Sequence, residues 1–308
     1  MSTGLPTTDL QNPRMHFDIY AILEGSQELY LGHEVQVNIN LVEVVELSTI
    51  DGKSIKKCYI SPTKRRGVER RSLIWSPIKS GILLGDKLQC GIPDTCAKPL
   101  CPICSTYGGL VTQDKGDRKR ATLIGRVTHS GGVAVQSLDP VDKQRAMHPA
   151  KLSNQGEENP IPFKRQYNQP GLLYPVYNHA LSITEKEFAA VAYAFLDSLA
   201  RIGSGNPKGV SLAEDSDNKP LLVFDRYLVP RGKRPIISPS VTNAEKAIDD
   251  FIRLSNNVQL GEPPVEDDLV GIPPSFNTKN FQRWVGDAAL AKLQEYSSEF
   301  VDRVLQAQ

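Results

Sequence analysis

The chain has 308 residues, 40% of them hydrophobic, and its 36 Lys/Arg against 35 Asp/Glu leave a formal charge of +1. That length holds one elaborated domain or two ordinary ones, with a sizeable core. No apolar run approaches the ~20 residues of a membrane span, and the opening residues lack the apolar segment of a secretory signal, so a cytoplasmic protein without membrane contact is expected.

Neutrality hides a strong patterning of charge. Asp51–Ser80 carries nine Lys/Arg (53, 56, 57, 64, 65, 66, 70, 71 and 79) and two acids, a net of +7. Asp114–Arg126 has five basic and two acidic residues, a net of +3. Acids gather elsewhere, at Glu262, Glu266, Asp267 and Asp268. Positive charge held in patches gives a directional field.

In chain order, Val35, Val37, Ile39 and Leu41 alternate with polar residues and predict a half-buried strand. Lys57–Ile60 predicts a second strand, ended by Ser61-Pro62, and Cys58 within it reads as a buried strand residue. A basic turn, Tyr59–Arg71, follows. Charge clusters there, where a strand ends, and Lys64, Arg65, Arg66, Arg70 and Arg71 become candidates for phosphate contact; a solvated loop is the plain alternative.

Cys90, Cys96, Cys101 and Cys104 then fall within fifteen residues. Cys101-Pro-Ile-Cys104 puts two thiolates on one tight turn, the first half of a tetrahedral zinc site, and Cys90 and Cys96 can supply the other half. The segment has few apolar side chains, and metal–thiolate bonds order a loop that cannot bury a core. A reducing compartment disfavours disulfides. His129 or another histidine is an alternative to Cys90 as ligand. Arg118, Lys119 and Arg120 extend the basic flank.

Ala121–Thr128 predicts a further strand, and Gly131-Gly132 a turn into Val133–Gln136. Residues 139–171 are poor in apolar side chains and too long for an ordinary loop, so they read as an insertion or mobile arm. Its basic residues are Lys143, Arg145, Lys151, Lys164 and Arg165, and Met147 and Phe163 are its candidate apolar wedges. Thr184 and Glu187 form a capping box for a helix to Ile202 with an apolar stripe from Phe188 to Ile202, and Gly203 is its expected stop. The loop Gly203–Gly209, flanked by Arg201 and Lys208, lets a backbone approach phosphate but matches neither a Walker loop nor a dinucleotide fingerprint. Leu221–Val229 predicts a strand. Thr242 with Glu245 opens a helix to about Leu254. A last helix is expected over Asn280–Leu305, with Phe281, Trp284, Leu290, Leu293 and Phe300 inward and Gly286 as a weak point.

Several of these segments resemble a known family. Ile60-Ser-Pro-Thr-Lys-Arg-Arg-Gly67 looks like the opening strand–turn–helix of the CRISPR repeat-associated (RAMP) superfamily. Leu173-Tyr-Pro…Leu181, the capped helix and Ala200–Gly209 resemble its second half, across about residues 15–240. The cysteine insertion narrows the resemblance to the backbone subunit of type I-D CRISPR effector complexes, the family-seven type. That resemblance implies an α+β fold: a modified RRM/ferredoxin-like antiparallel sheet core with helices, discontinuous over 15–88 and 121–240. It also implies a zinc-binding insertion at 89–120, an arm or hairpin thumb at 139–171 and a helical region at 241–308.

The same resemblance implies a guide RNA, target nucleic acid paired to it, further copies of the chain and other subunits as partners, with structural zinc as cofactor. Lys64, Arg65 and Arg66 fall in the family's guide-gripping turn, and Gly203, Gly205 and Gly209 in its Gly-rich loop. The chain lacks the aromatic consensus of ordinary RNA-recognition motifs, so stacking of bases on the sheet is not expected. It has only Glu69 where some relatives carry a cutting Asp, so a non-catalytic role is expected. Two alternatives stand beside it. One is a nuclease using Asp114, Asp117, His129 or His148; the other is a zinc-stabilised protein adaptor.

Overall fold

The computed structural model describes residues 13–31, 34–36, 39–49, 51–112, 114, 119–137, 141–145, 163–203, 209–228, 237–256 and 281–306; for 34–36, 39–40, 141–145 and 163–165 it describes the backbone alone. In chain order the elements are β1 (Met15–Gly25), β2 (Glu34–Gln36), β3 (Ile39–Leu41), β4 (Val44–Ser48), β5 (Ser54–Ile60), α1 (Pro62–Ile74), α2 (Leu84–Leu88), α3 (Pro102–Tyr107), β6 (Gly109–Val111), β7 (Ala121–Leu123), β8 (Val127–His129), β9 (Gly132–Val133), β10 (Val141–Arg145), β11 (Phe163–Tyr167), β12 (Leu172–Ile183), α4 (Glu185–Leu199), β13 (Ser211–Leu212), β14 (Leu222–Tyr227), α5 (Ala244–Asn256), β15 (Phe281–Val285) and α6 (Asp287–Phe300), which runs into a π turn, Val301–Leu305.

The principal sheet has the order β15-β14-β1-β12-β8, with every neighbouring pair antiparallel. Without its insertions the path is β1-α1-β8-β12-α4-β14. Fourth strand beside first, first beside third, third beside second is the arrangement of the split βαβ, ferredoxin-like unit. The expected α+β class therefore stands on topology. Strand alternation sends Phe17, Ile19, Ala21 and Leu23 of β1 toward the helices. There Phe17 stacks on Phe188 of α4 at 4.2 Å, and Phe224 of β14 and Tyr296 of α6 complete the aromatic centre. The opposite face has a smaller core in which Tyr20, Ile22, Leu221 and Val223 pack against Phe251 of α5 and against Ile237, which precedes that helix.

The caps explain where the helices begin. Ser61 accepts from the Lys64 amide and Pro62 fills the first turn, so the strand β5 passes directly into α1. The expected basic turn is therefore helix: Lys64, Arg65, Arg66, Arg70 and Arg71 all lie on α1. At α4 the capping box of Thr184 and Glu187 is present in both directions. At α5 the cap is Asn243, whose side chain accepts from the Lys246 amide, and not Thr242, which pairs with Ser240.

Three further expectations change. Residues 35–41 are not one strand: Glu34–Gln36 folds back on Ile39–Leu41 as an antiparallel pair. Ala121–Thr128 divides into β7 and β8. The last helix begins only at Asp287, because Phe281–Val285 alternates as a strand and pairs with β14; Gly286, at φ +60°, makes the corner between them. The 241–308 region is thus stitched into the principal sheet. The arm is paired at its base, where β10 lies antiparallel to β11 and β11 parallel to β3. Met147, Lys151 and the rest of its tip lie outside the described residues. Among the described residues no helix is long and apolar enough to cross a membrane.

The β14–β15 seam is closed by a bidentate ion pair, Arg283 to Asp225, at 2.7 and 2.6 Å, with each side chain 1% exposed. Removing one partner strands the other charge in the interior. Arg283→Met should cost about 3–5 kcal/mol, read as a lower urea midpoint with unchanged slope; a loss within the error of wild type would show the pair to be incidental.

Candidate nucleic-acid interface and metal centre

The four cysteines converge. Cys90, Cys96, Cys101 and Cys104 are all buried and unbridged, and their sulfurs lie within 4.8 Å of one another. Cys90–Cys104 and Cys96–Cys104 separations are 3.4 and 3.7 Å, against the roughly 3.8 Å expected between sulfurs that share a tetrahedral zinc at about 2.3 Å. The donor set fits zinc. Cys101 heads α3, so Cys104 follows one turn later on the same face. Gly109 closes the cage, because a Cβ there would stand 2.8 Å from Cys104 Sγ. His129 is elsewhere, facing Glu69, and is not a fifth candidate.

Metal-free, the cluster cannot ionise evenly. Hydrogen bonds from Cys101 and Cys104 hold the Cys90 thiol well below its ordinary pKa, while hydrogen bonding with Cys104 and Cys90 pushes the Cys101 thiol far up. A dication would favour the thiolate form of all four, and its binding must expel the remaining protons. The segment is also less independent than its composition implies. Ile103 and Tyr107 are fully buried and belong to the main core. Zinc should therefore be retained at pH 8 and lost progressively toward pH 5. Cys104→Ser should abolish the metal and lower the melting temperature of the whole chain, not only loosen residues 89–120. Metal analysis and calorimetry check both points.

The basic helix is not a solvated grip. Arg65 is 2% exposed. It donates to the carbonyls of Ser130 and Tyr177 at 2.8 and 3.1 Å and to Asn178 Oδ1 at 2.6 Å. Burial lowers its pKa to about 10. Lys57 is likewise buried and bonded to the Val135 carbonyl, and Lys64 is half-buried beside Glu43 at 3.7 Å.

Glu69, one turn after Arg65, is 1% exposed. It accepts from Tyr107 OH at 2.9 Å and Asn178 Nδ2 at 2.9 Å, and faces His129 Nε2 at 2.8 Å. Burial alone would raise its carboxyl; His129, Arg65 and Asn178 outweigh that and hold it below the ordinary value. A depressed carboxylate stabilises the fold above its unfolded pKa, about 4.3, and the contribution is lost as pH falls through the folded value. Glu69→Gln should therefore flatten the fall in stability between pH 5 and 3 seen by urea unfolding of the native sequence.

Arg66 and Arg70 point differently. Arg66 is exposed and donates to the Tyr107 carbonyl. Both line a cleft of about 890 Å³ between α1 and the cysteine segment, walled by Ile92, Thr95, Leu110, Thr122 and Ile124. Arg70 Nε and Nη2 are buried and have no hydrogen-bond partner among the described residues. Two carboxylates share the cleft, Asp94 and Asp114; Asp114 is held by Lys119 at 3.8 Å and by the Arg120 amide. Arg71 lies in the last turn of α1.

The glycine loop does not join this group among the described residues. Arg201 is engaged by Asp197 at 2.6 Å, Gly203 and Gly209 take φ +112° and +97°, and Gly205 and Lys208 lie outside the description. So do Arg118, Asp117 and His148. No acidic cluster for metal-assisted hydrolysis assembles from the described residues: Asp114 is on the surface and His129 is interior.

No family model matches the chain and no curated protein matches it. Among solved structures it is similar to the crystal structure of Csc2 from Thermofilum pendens, at 14% identity and a TM-score of 0.45, over 99% of this chain and 94% of that one. It is also similar to a chain of a type IV-B CRISPR complex, at 16% identity and a TM-score of 0.41, over 73% of this chain and 96% of that one. At these TM-scores neither likeness bears on the fold or the function assigned to this chain.

Proposed function

We propose that the chain is a guide-RNA-binding backbone subunit of a CRISPR interference complex, of the type I-D kind its sequence resembles, which multimerises along the RNA and presents it for target pairing. The observation that supports this best is Arg70. A guanidinium with two buried nitrogens that meet no partner among the described residues is costly unless another group completes it, and a phosphate oxygen is a geometrically matched acceptor. Arg66, exposed and donating to the Tyr107 carbonyl, stands one helical turn away on the same side, so one cleft offers two guanidiniums. RNA held in this way is gripped by its backbone and read without regard to sequence, as a guide that carries any spacer requires. Four exposed apolar side chains, Ile92, Leu100, Leu110 and Ile124, surround the cysteine segment and support the further reading that a neighbouring copy or another subunit covers it.

Arg65 leaves the set of phosphate ligands, because its donors are spent inside the fold. Reversing Lys64, Arg65 and Arg66 together would therefore confound binding with folding. The discriminating variant is Arg66→Glu/Arg70→Glu. Its melting temperature should stay near that of wild type, and its affinity for a single-stranded RNA of mixed sequence should fall steeply. The wild-type salt slope should exceed that of the variant by about 1.4, or about 0.7 per phosphate. An unchanged slope would remove the cleft from the binding path.

A further inference from the structure

The cysteine cage borders one cavity and supports the wall of another. A recess of about 550 Å³ beside α2 is lined by Gly85, Gln89, Cys90 and Asp94 among others. Cys96, Cys101 and Cys104 line neither this recess nor the larger cleft, and all four cysteines are otherwise buried. A small, uncharged reagent therefore meets Cys90 first.

Cys104 is placed to complete a reaction begun there. Its Sγ lies 3.4 Å from that of Cys90 and 3.7 Å from that of Cys96, so a bond to Cys90 needs only about 1.4 Å of closure. The loop that carries Cys90 and Cys96 is held in costly backbone conformations. Gln89 and Ala97, which flank the two cysteines, take φ +51° and +47°, a left-handed region that non-glycine residues adopt only where their surroundings fix them. The cage is such a fixture, and dismantling it frees the loop.

The cleft wall is built on the same sulfur. A Cβ on Gly109 would stand 2.8 Å from Cys104 Sγ and 3.2 Å from Thr95 Oγ1. Thr95 Oγ1 accepts from the Leu110 amide at 2.8 Å and donates to the Leu110 carbonyl at 2.9 Å. Thr95, Gly108, Gly109 and Leu110 all line the cleft. The Gly108 amide donates to the Cys104 carbonyl at 2.9 Å, and Tyr107 carries the contacts to Glu69 and Arg66. In packing this close the sulfur does not move without the wall.

We propose that Cys90 and Cys104 form a reversible oxidation site for a hydroperoxide, through which the cleft is switched. The Cys90 thiolate attacks the peroxide and breaks its O–O bond; Cys90 becomes a sulfenic acid and hydroxide leaves. The Cys104 thiolate then attacks that sulfur, the disulfide forms and a second hydroxide leaves. The peroxide has accepted the two electrons the thiolates lost, and solvent protons turn both hydroxides into water. Two of the four ligands are consumed, so the set no longer suits tetrahedral zinc, and loop and wall relax together. A dithiol reverses the change by exchange, its own sulfurs ending as the disulfide. The switching of binding rests on the reading of the cleft as an RNA site; the chemistry at the sulfurs does not.

The test treats the full chain, reduced and loaded with zinc, with hydrogen peroxide. Cleavage before Asp86, Asp94 and Asp114 leaves Cys90 in peptide 86–93 and the other three cluster cysteines in 94–113. Mass spectrometry should find these two peptides joined through Cys90 and Cys104, with two hydrogens lost. A chromogenic chelator should show zinc leaving in step, and affinity for a mixed-sequence single-stranded RNA should fall about tenfold. Dithiothreitol with added zinc should restore all three readings, and Cys58→Ser, outside the cluster, should respond as wild type does. Peptides that stay separate at a dose that fully oxidises free glutathione would overturn the site, as would linkage confined to 94–113 or oxidation that dithiothreitol does not reverse. Joined peptides with zinc retained or RNA affinity unchanged would overturn the switch. A reduced chain that binds no RNA would defeat the RNA reading alone, since the joined peptides and a lowered melting temperature would still establish the oxidation site.

Discussion

Glu69 is the point at which the parts of this molecule meet. One carboxylate on α1 ties Tyr107 from the cysteine segment, His129 from β8 and Asn178 from β12, and Arg65 one turn away holds the same two strands by their carbonyls and by Asn178. A charge in a dry interior is tolerable only when each of its lone pairs is met. The consequence is mutual. The carboxylate requires the cysteine segment to sit against α1, and that placement forms one wall of the cleft in which Arg66 and Arg70 lie.

The cleft and the interior brace follow from how the helix distributes its cations. Arg65 and Arg66 are neighbours in sequence but point about 100° apart on a helix. One turns into the sheet and becomes a brace; the other turns toward the cysteine segment and, with Arg70 four residues later, lines the cleft. The brace reaches the backbone of Tyr177, so the helix that faces the cleft also steadies the strand on the far side of the sheet. The cleft wall and the strand on the far side thus share one structural support.

Legibility in the sequence followed the physics of each signal. The cysteines were readable because metal ligands are few and their spacing is narrow, and the Thr184 box because it repeats a local hydrogen-bond pattern. The basic run reads as a turn in sequence but folds as helix: charge density says nothing of which guanidiniums face inward, and Ser61-Pro62, which ends a strand, is also the way a helix starts. The terminal strand Phe281–Val285 was absorbed into a helix because five residues are too few to separate a period of 2 from one of 3.6. β1 offers no alternation to find, being buried on both faces from Phe17 to Leu23, Asp18 included. The Asp18–His179 and Glu69–His129 contacts join residues 161 and 60 apart, which no local pattern encodes.

The position of β1 also sets a timetable. It lies in the middle of the sheet, yet its partners are β12, which ends at Ile183, and β14, which ends at Tyr227. During synthesis at about 5–20 residues per second, a strand apolar on both sides waits roughly ten seconds or longer for either neighbour. Both its hydrogen-bonding edges are open for that interval, the condition under which chains pair with the wrong partner. The fold that places its N-terminal strand at the centre therefore depends on protection at the ribosome, or on a slow, late closure of long loops, before any of its surfaces can meet a ligand.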